Sequence, residues 1–326
     1  MSRSNSIKTV RIILICVFAT VFIVSAYMLA STLIEYRDAE RLYGNVQNDF
    51  MNSVIIGNGG DAEQNTAKDV WTRGPEGVVV TPIETQPPVS VDTTAPGQTP
   101  SDTVSPGTPD TGSSDTTTAP PPVEPVYSER FINACKFINE LKAVNPQVIG
   151  YIYIELSATD ESKNISYPLV LGTDDTYYVD HGYDNSSLKA GAIFMDHRCL
   201  SNLYKNRVSL VYGHNMNNGA MFHNLKYLKQ REYFDNAKIT VYTLDGIYTY
   251  QPFAIYNTSA SSNYSHMFFN SDADYIKFLQ DAQRKSMFSH NLEFYAADRI
   301  ITLSTCLNTS ADARMAVHAV LVGISQ

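Results

Sequence analysis

Arg299-Ile300-Ile301-Thr302-Leu303-Ser304-Thr305-Cys306 reads as a β-strand that runs into a polar loop, Asn308-Thr309-Ser310-Ala311-Asp312. Branched side chains fill the run, as a pleated buried segment requires. Its last residue brings a thiol to the rim of the sheet. Seven further short runs share this character: Val148–Glu155, Tyr167–Gly172, Gly191–Asp196, Arg207–His214, Lys238–Thr243, Tyr248–Asn257 and Met315–Gly323. Lys238–Thr243 and Tyr248–Asn257 flank Leu244-Asp245-Gly246-Ile247, and Asp-Gly between two such runs signals a hairpin. Helical spacing appears at Ser128–Ala143, with Ser128 as N-cap, and at Asp272–Met287. Eight strands with few helices predict a mainly β domain over residues 127–326, either a closed barrel or a sandwich.

The preceding sequence has three different characters. Ile12 to Ile34 are 23 residues without a charge, enough for a helix to cross a bilayer core, which needs about 20. Arg3, Lys8 and Arg11 precede them, and Glu35, Asp38 and Glu40 follow. Residues 1–34 therefore read as a cytoplasmic tail and single transmembrane anchor, with everything after residue 35 outside the cell. A cleaved signal peptide fits less well, because its apolar core is about 7–15 residues and Ser25-Ala26-Tyr27 is a poor small-x-small site. In the juxtamembrane segment 35–73, Tyr36, Ala39, Tyr43, Val46 and Phe50 share one helical face, too short a pattern for a coiled coil, so a helix lying against another surface is expected. Residues 74–126 carry seven acidic and no basic residues, and positions 81–125 hold 11 Pro and 11 Thr. That composition predicts a disordered tether between anchor and domain.

The net charge of −9 argues against a nucleic-acid binder, which needs a basic footprint. Four cysteines, at 16, 135, 199 and 306, form no CxxC pair and no metal-ligand spacing, so neither a metal nor another cofactor is expected. A bridge between Cys135 and Cys199 is permitted outside the cell, but a domain of this size needs no such staple. Cys135 falls on the apolar face of a helix and reads as a buried small side chain.

Cys306 stands apart because a strand end places it within a substrate's reach. A cysteine nucleophile needs a base and a donor for the developing oxyanion. His214 also ends a strand, and Arg314 opens the strand after Cys306, where a tight turn would return it beside the thiol.

Thr302-Leu303-Ser304-Thr305-Cys306 resembles the TLxTC signature of sortases, the membrane-anchored cysteine transpeptidases of Gram-positive bacteria. Tyr212-Gly213-His214-Asn215-Met216 is similar to their catalytic-histidine motif, and Arg314 stands where their arginine does. The helix at Ser128–Ala143, Asn-Met after the histidine and Ser at the variable position look most like class B. The resemblance implies an eight-stranded sortase barrel with peripheral helices. It implies that Cys306 attacks a sorting motif after Thr, that His214 is general acid and base, and that Arg314 is the oxyanion donor. It also points to Ser304, Thr305 and Asn215 at the substrate, with a sorting-motif-bearing surface protein and a peptidoglycan peptide amine as partners. A Pro/Thr-rich stretch departs from the usual class B pattern, in which anchor and domain are joined by a modest connection.

A pilin-polymerising sortase, using a lysine amine, is the alternative within the family. A papain-like hydrolase is disfavoured because its cysteine precedes its histidine and opens a helix. A silent wall-anchored binding module would have no need of all three groups. His181, His197, His223, His266, His290 and His318 lack motif context and read as surface or packing residues.

Overall fold

A computed structural model describes residues 2–56, 73–78, 127–307 and 309–326. The Pro/Thr-rich positions 79–126 and Asn308 lie outside the described residues. The helices are α1 (Ser2–Phe50), α2 (Glu129–Val144), α3 (Arg231–Asn236) and α4 (Asp272–Lys285). A small hairpin, β1 (Arg73–Gly74) and β2 (Gly77–Val78), precedes the eight strands β3 (Val148–Glu155), β4 (Ile165–Leu171), β5 (Ile193–Met195), β6 (Val208–Tyr212), β7 (Lys238–Thr243), β8 (Ile247–Ser259), β9 (Ile300–Cys306) and β10 (Ala313–Ser325).

Strands β3 to β10 close into a barrel in the order β10-β8-β7-β3-β4-β5-β6-β9. Closure pairs every edge, which decides the choice between barrel and sandwich. Two pairings are parallel, β4 with β5 and β6 with β9, and the others are antiparallel. The parallel β6–β9 pair matters most for the chemistry, because it sets the ends of two distant strands side by side. Local rules fix the boundaries of several elements. The Ser128 hydroxyl accepts the Phe131 N–H and caps α2, and Ser271 caps α4 through Asp274 N–H. At the β7–β8 turn the Thr243 hydroxyl donates to Gly246 O and accepts its N–H.

The C-terminal part of α1 belongs to the core. Ala39, Tyr43, Val46 and Phe50 are buried, and the surface they meet is the barrel together with α2. Phe50 stacks on Tyr151 of β3 with ring centroids 3.9 Å apart, and also meets Phe137 of α2 and Tyr242 of β7. The Tyr43 hydroxyl donates to Gly191 O at 2.7 Å, and Gln47 Nε2 to Ser166 O at 2.8 Å. Burying each large apolar side chain is worth about 1.5–3 kcal/mol, so this face is a substantial part of the domain's stability.

The β1–β2 hairpin is pinned in a different way. Arg73 makes a bidentate pair with Asp298, at 2.7 and 2.9 Å, and the Asp298 carboxylate is 1% exposed. A buried carboxylate without that partner would cost several kcal/mol, which holds residues 73–78 against the barrel.

Candidate active site

Strand register assembles the site. In the parallel pair, Tyr212 of β6 lies opposite Ser304 of β9, and Gly213 N–H continues the ladder to Ser304 O. Two residues beyond Tyr212, His214 is therefore level with Cys306. On the other side Arg314 of β10 is the direct partner of Cys306. The turn between them is tight, closed by Leu307 N–H donating to Ala313 O and Ala313 N–H to Ser310 O. Imidazole, thiol and guanidinium thus come together at or just beyond the ends of three neighbouring strands, at one rim. The six residues of β9 before Cys306 are buried, whereas Cys306 itself is exposed. Gly213 is required ahead of the histidine: a Cβ there would lie 2.4 Å from Ile193 Cδ1 and 2.7 Å from the Phe222 ring.

His214 Nε2 is 2.7 Å from Val179 O. A carbonyl only accepts, so the neutral ring carries its proton on Nε2 and leaves Nδ1 as the nitrogen that can take one. Arg314 donates through one guanidinium nitrogen to Ala311 O and Ala313 O, at 2.9 and 3.1 Å, which holds the fork on the turn beside Cys306.

Asn215 is engaged at both ends of its amide. Its Nδ2 donates to Cys306 O at 3.1 Å, and its Oδ1 accepts from His223 Nδ1 at 2.8 Å. His223 Nε2 in turn accepts from Lys226. Because an ammonium only donates, this chain fixes the His223 tautomer and hence which way the Asn215 amide faces. Burial, then the Lys226 charge, pulls the His223 pKa down, which favours the neutral ring. Ser304 is buried with its hydroxyl 2.9 Å from Tyr264 OH. Thr305 is also buried, and its hydroxyl has no partner among the described residues. The side chains of Ser304, Thr305 and Asn215 therefore meet protein groups or the interior in this structure. Sequence reasoning missed His223 and Val179, since neither stands in a motif.

The other cysteines have different settings. All four are free thiols. Burial pushes the Cys199 thiol up to about 11, beside Val208 O and the Met267 sulfur. Burial also raises the thiol of Cys135. Asp175, Asp196 and His197 offer atoms within 4.8 Å of one another. The Asp196 carboxylate already accepts from Arg198 and from Tyr212 OH, so a cation there would have to displace a guanidinium. A groove of about 300 Å³ runs between α4 and the segment 263–270, lined in part by Tyr256, Asn263, His266 and Lys285; Cys306, His214 and Arg314 are not part of its lining.

A closed barrel that brings a strand-end thiol level with an imidazole and a guanidinium has the groups that cysteine-based acyl transfer needs. Comparison with known proteins agrees. The sortase domain profile matches residues 170–322. Sortase B of Listeria monocytogenes is 31% identical over 190 residues, covering 57% of this chain and 74% of that protein. The crystal structure of Clostridium perfringens sortase B superposes with a TM-score of 0.52 at 30% identity, over 57% of this chain and 99% of the other. A Staphylococcus aureus sortase B–substrate complex gives 0.53 at 28% identity, over 59% and 87%. The chain belongs to the sortase family, and its likeness within that family is to sortase B.

Proposed function

We propose that this sortase B-like transpeptidase anchors surface proteins by cleaving their sorting motif after Thr and joining the acyl group to a cell-wall peptide amine. Cys306 is the nucleophile in this reading, His214 the general acid and base, and Arg314 the oxyanion donor. The observation that supports these roles is the register that levels His214 and Arg314 with Cys306 on the two strands beside it. The Cys306 thiolate attacks the Thr carbonyl carbon, and the displaced electron pair settles on oxygen. Arg314, planar and permanently charged, donates to that oxyanion. Collapse expels the amine of the next residue, which takes a proton from His214 and leaves a thioester on Cys306. The incoming amine attacks the thioester and gives its proton to His214, and collapse frees the thiolate again.

The apolar half of α1 is the membrane anchor in this reading. Its most apolar window has a mean hydropathy of 2.6 and no buried residue. The basic residues before it favour a cytoplasmic N-terminus and an extracellular catalytic domain at 127–326. α1 also runs unbroken into its barrel-packed half, a continuity that favours an anchor over a removed leader.

The test is a sorting-peptide library offered to the full chain in membranes together with candidate amines, read by mass spectrometry. Products ending at Thr and joined to a wall-type peptide are expected. A preference for a lysine side-chain amine would move the reading to pilus assembly, and cleavage at another residue would overturn the Thr assignment.

A further inference from the structure

Three features of the structure bear on how the barrel is held at the cell surface. The composition of residues 74–126 predicts a spacer between anchor and domain, yet the described residues on both sides of the Pro/Thr-rich positions already touch the barrel. Before them, Arg73 is paired with the buried Asp298. After them, Ser128 N–H donates to Gln326 O at 3.1 Å. Upstream of both, α1 meets the barrel as soon as its uncharged stretch ends. Glu35, the first charged residue after that stretch, pairs with Lys189 at 3.1 Å. Contact continues through Tyr43, Gln47 and Phe50, and Val54 just beyond the helix is also buried. From Glu35 to Phe50 is 15 residues, roughly 22 Å of helix at 1.5 Å per residue. A helix serving only as a stalk has no reason to bury a tyrosine and a phenylalanine in the domain it carries.

The same contacts reach the active-site rim. Tyr43 lies eight residues beyond Glu35, about 12 Å along the axis. Its acceptor, Gly191, has φ +62° and sits so close under the 177–179 turn that a Cβ would lie 2.6 Å from Val179 O. That Val179 oxygen is the acceptor of His214 Nε2. One short chain of contacts therefore joins the lower part of the outer helix to the catalytic histidine.

We infer that α1, and not the Pro/Thr-rich stretch, holds the catalytic barrel to the membrane, docking it on the outer bilayer face with its active-site rim at a fixed height. This inference rests on the reading of Ile12–Ile34 as an anchor. Its consequence is that the enzyme meets a sorting motif close to the membrane, at a height fixed by helix packing and independent of spacer length.

The experiment places a specific protease site between Gly60 and Asp61 of the full chain in liposomes, so that the Arg73–Asp298 pair stays with the barrel fragment, then cuts to completion and washes with high salt. Docking predicts that nearly all of fragment 61–326 sediments with the vesicles. It also predicts that, once the vesicles are dissolved in mild detergent, this fragment co-purifies with a tag on fragment 1–60. Release of 61–326 to the supernatant while 1–60 sediments overturns the docking and leaves the anchor intact. Sedimentation without co-purification also overturns it, since the barrel would then be held by lipid alone. An uncut chain that fails to sediment overturns the anchor reading, and the inference with it.

Discussion

His318 shows how one residue ties the core to pH. It is fully buried, with Nε2 2.8 Å from Tyr256 OH and Nδ1 2.8 Å from the Thr302 hydroxyl. Burial, and to a smaller extent the Lys285 charge, pushes its pKa down to about 3. The unfolded chain titrates near 6.5. Between those values the unfolded chain takes up a proton that the folded one refuses, so this contribution is fully present above about pH 6.5 and is lost as pH falls toward 3. At pH 4.5 the loss is on the order of 2–3 kcal/mol. Urea unfolding at pH 7 and pH 4.5 should show it, and His318→Gln should shrink the difference between the two. Asn215 governs a different quantity. Its amide holds the Cys306 carbonyl, and one such hydrogen bond is worth about 0.5–1.5 kcal/mol. Asn215→Ala should lower kcat roughly threefold to tenfold with KM little changed, as measured by steady-state transpeptidation. A raised KM at constant kcat would instead mark Asn215 as a substrate-binding residue.

Among the elements, α1 carries the clearest stability prediction. Phe50 is fully buried among Phe137, Tyr151 and Tyr242. Phe50→Ala leaves a cavity at the joint of α1, α2 and the barrel, and should cost about 3–5 kcal/mol. Chemical denaturation of the detergent-solubilised chain measures it, and a loss under 1 kcal/mol would mean that α1 packs only loosely. By the same reasoning, a protein cut down to residues 127–326 exposes this aromatic surface and should be less stable than one starting before Glu35. The helical spacing of Ala39, Tyr43, Val46 and Phe50 was legible in the sequence, but the surface that receives them was not. That surface is assembled from α2, β3 and β7, which lie about 90 to 190 residues away, and one helix face cannot specify so composite a partner.

Across the whole molecule, what the sequence revealed follows the range of the interactions. Each of the eight strands was visible locally, because branched and aromatic runs between turn residues need no distant information. Strand ends could be read to within about two residues, since β6 stops at Tyr212 and β10 opens at Ala313, and that was enough to put Cys306, His214 and Arg314 near one rim. Pairing was not legible: β6 and β9 meet in parallel across roughly 90 residues of intervening chain, and only the closed barrel reveals that His214 is level with Cys306. The Arg73–Asp298 pair, 225 residues apart, and the His223–Asn215 bond were hidden for the same reason, since each depends on where separate segments come to rest. The central claim is that Cys306 forms a thioester with the sorting-motif acyl group. Intact-protein mass spectrometry of the enzyme quenched in acid during turnover of a cleaved sorting peptide, with peptide mapping of the adduct, tests it most directly. The predicted result is an adduct of the acyl fragment on Cys306 that vanishes when amine is added, and no adduct or cleavage in Cys306→Ala. An adduct on another residue, or undiminished turnover in Cys306→Ala, would contradict it.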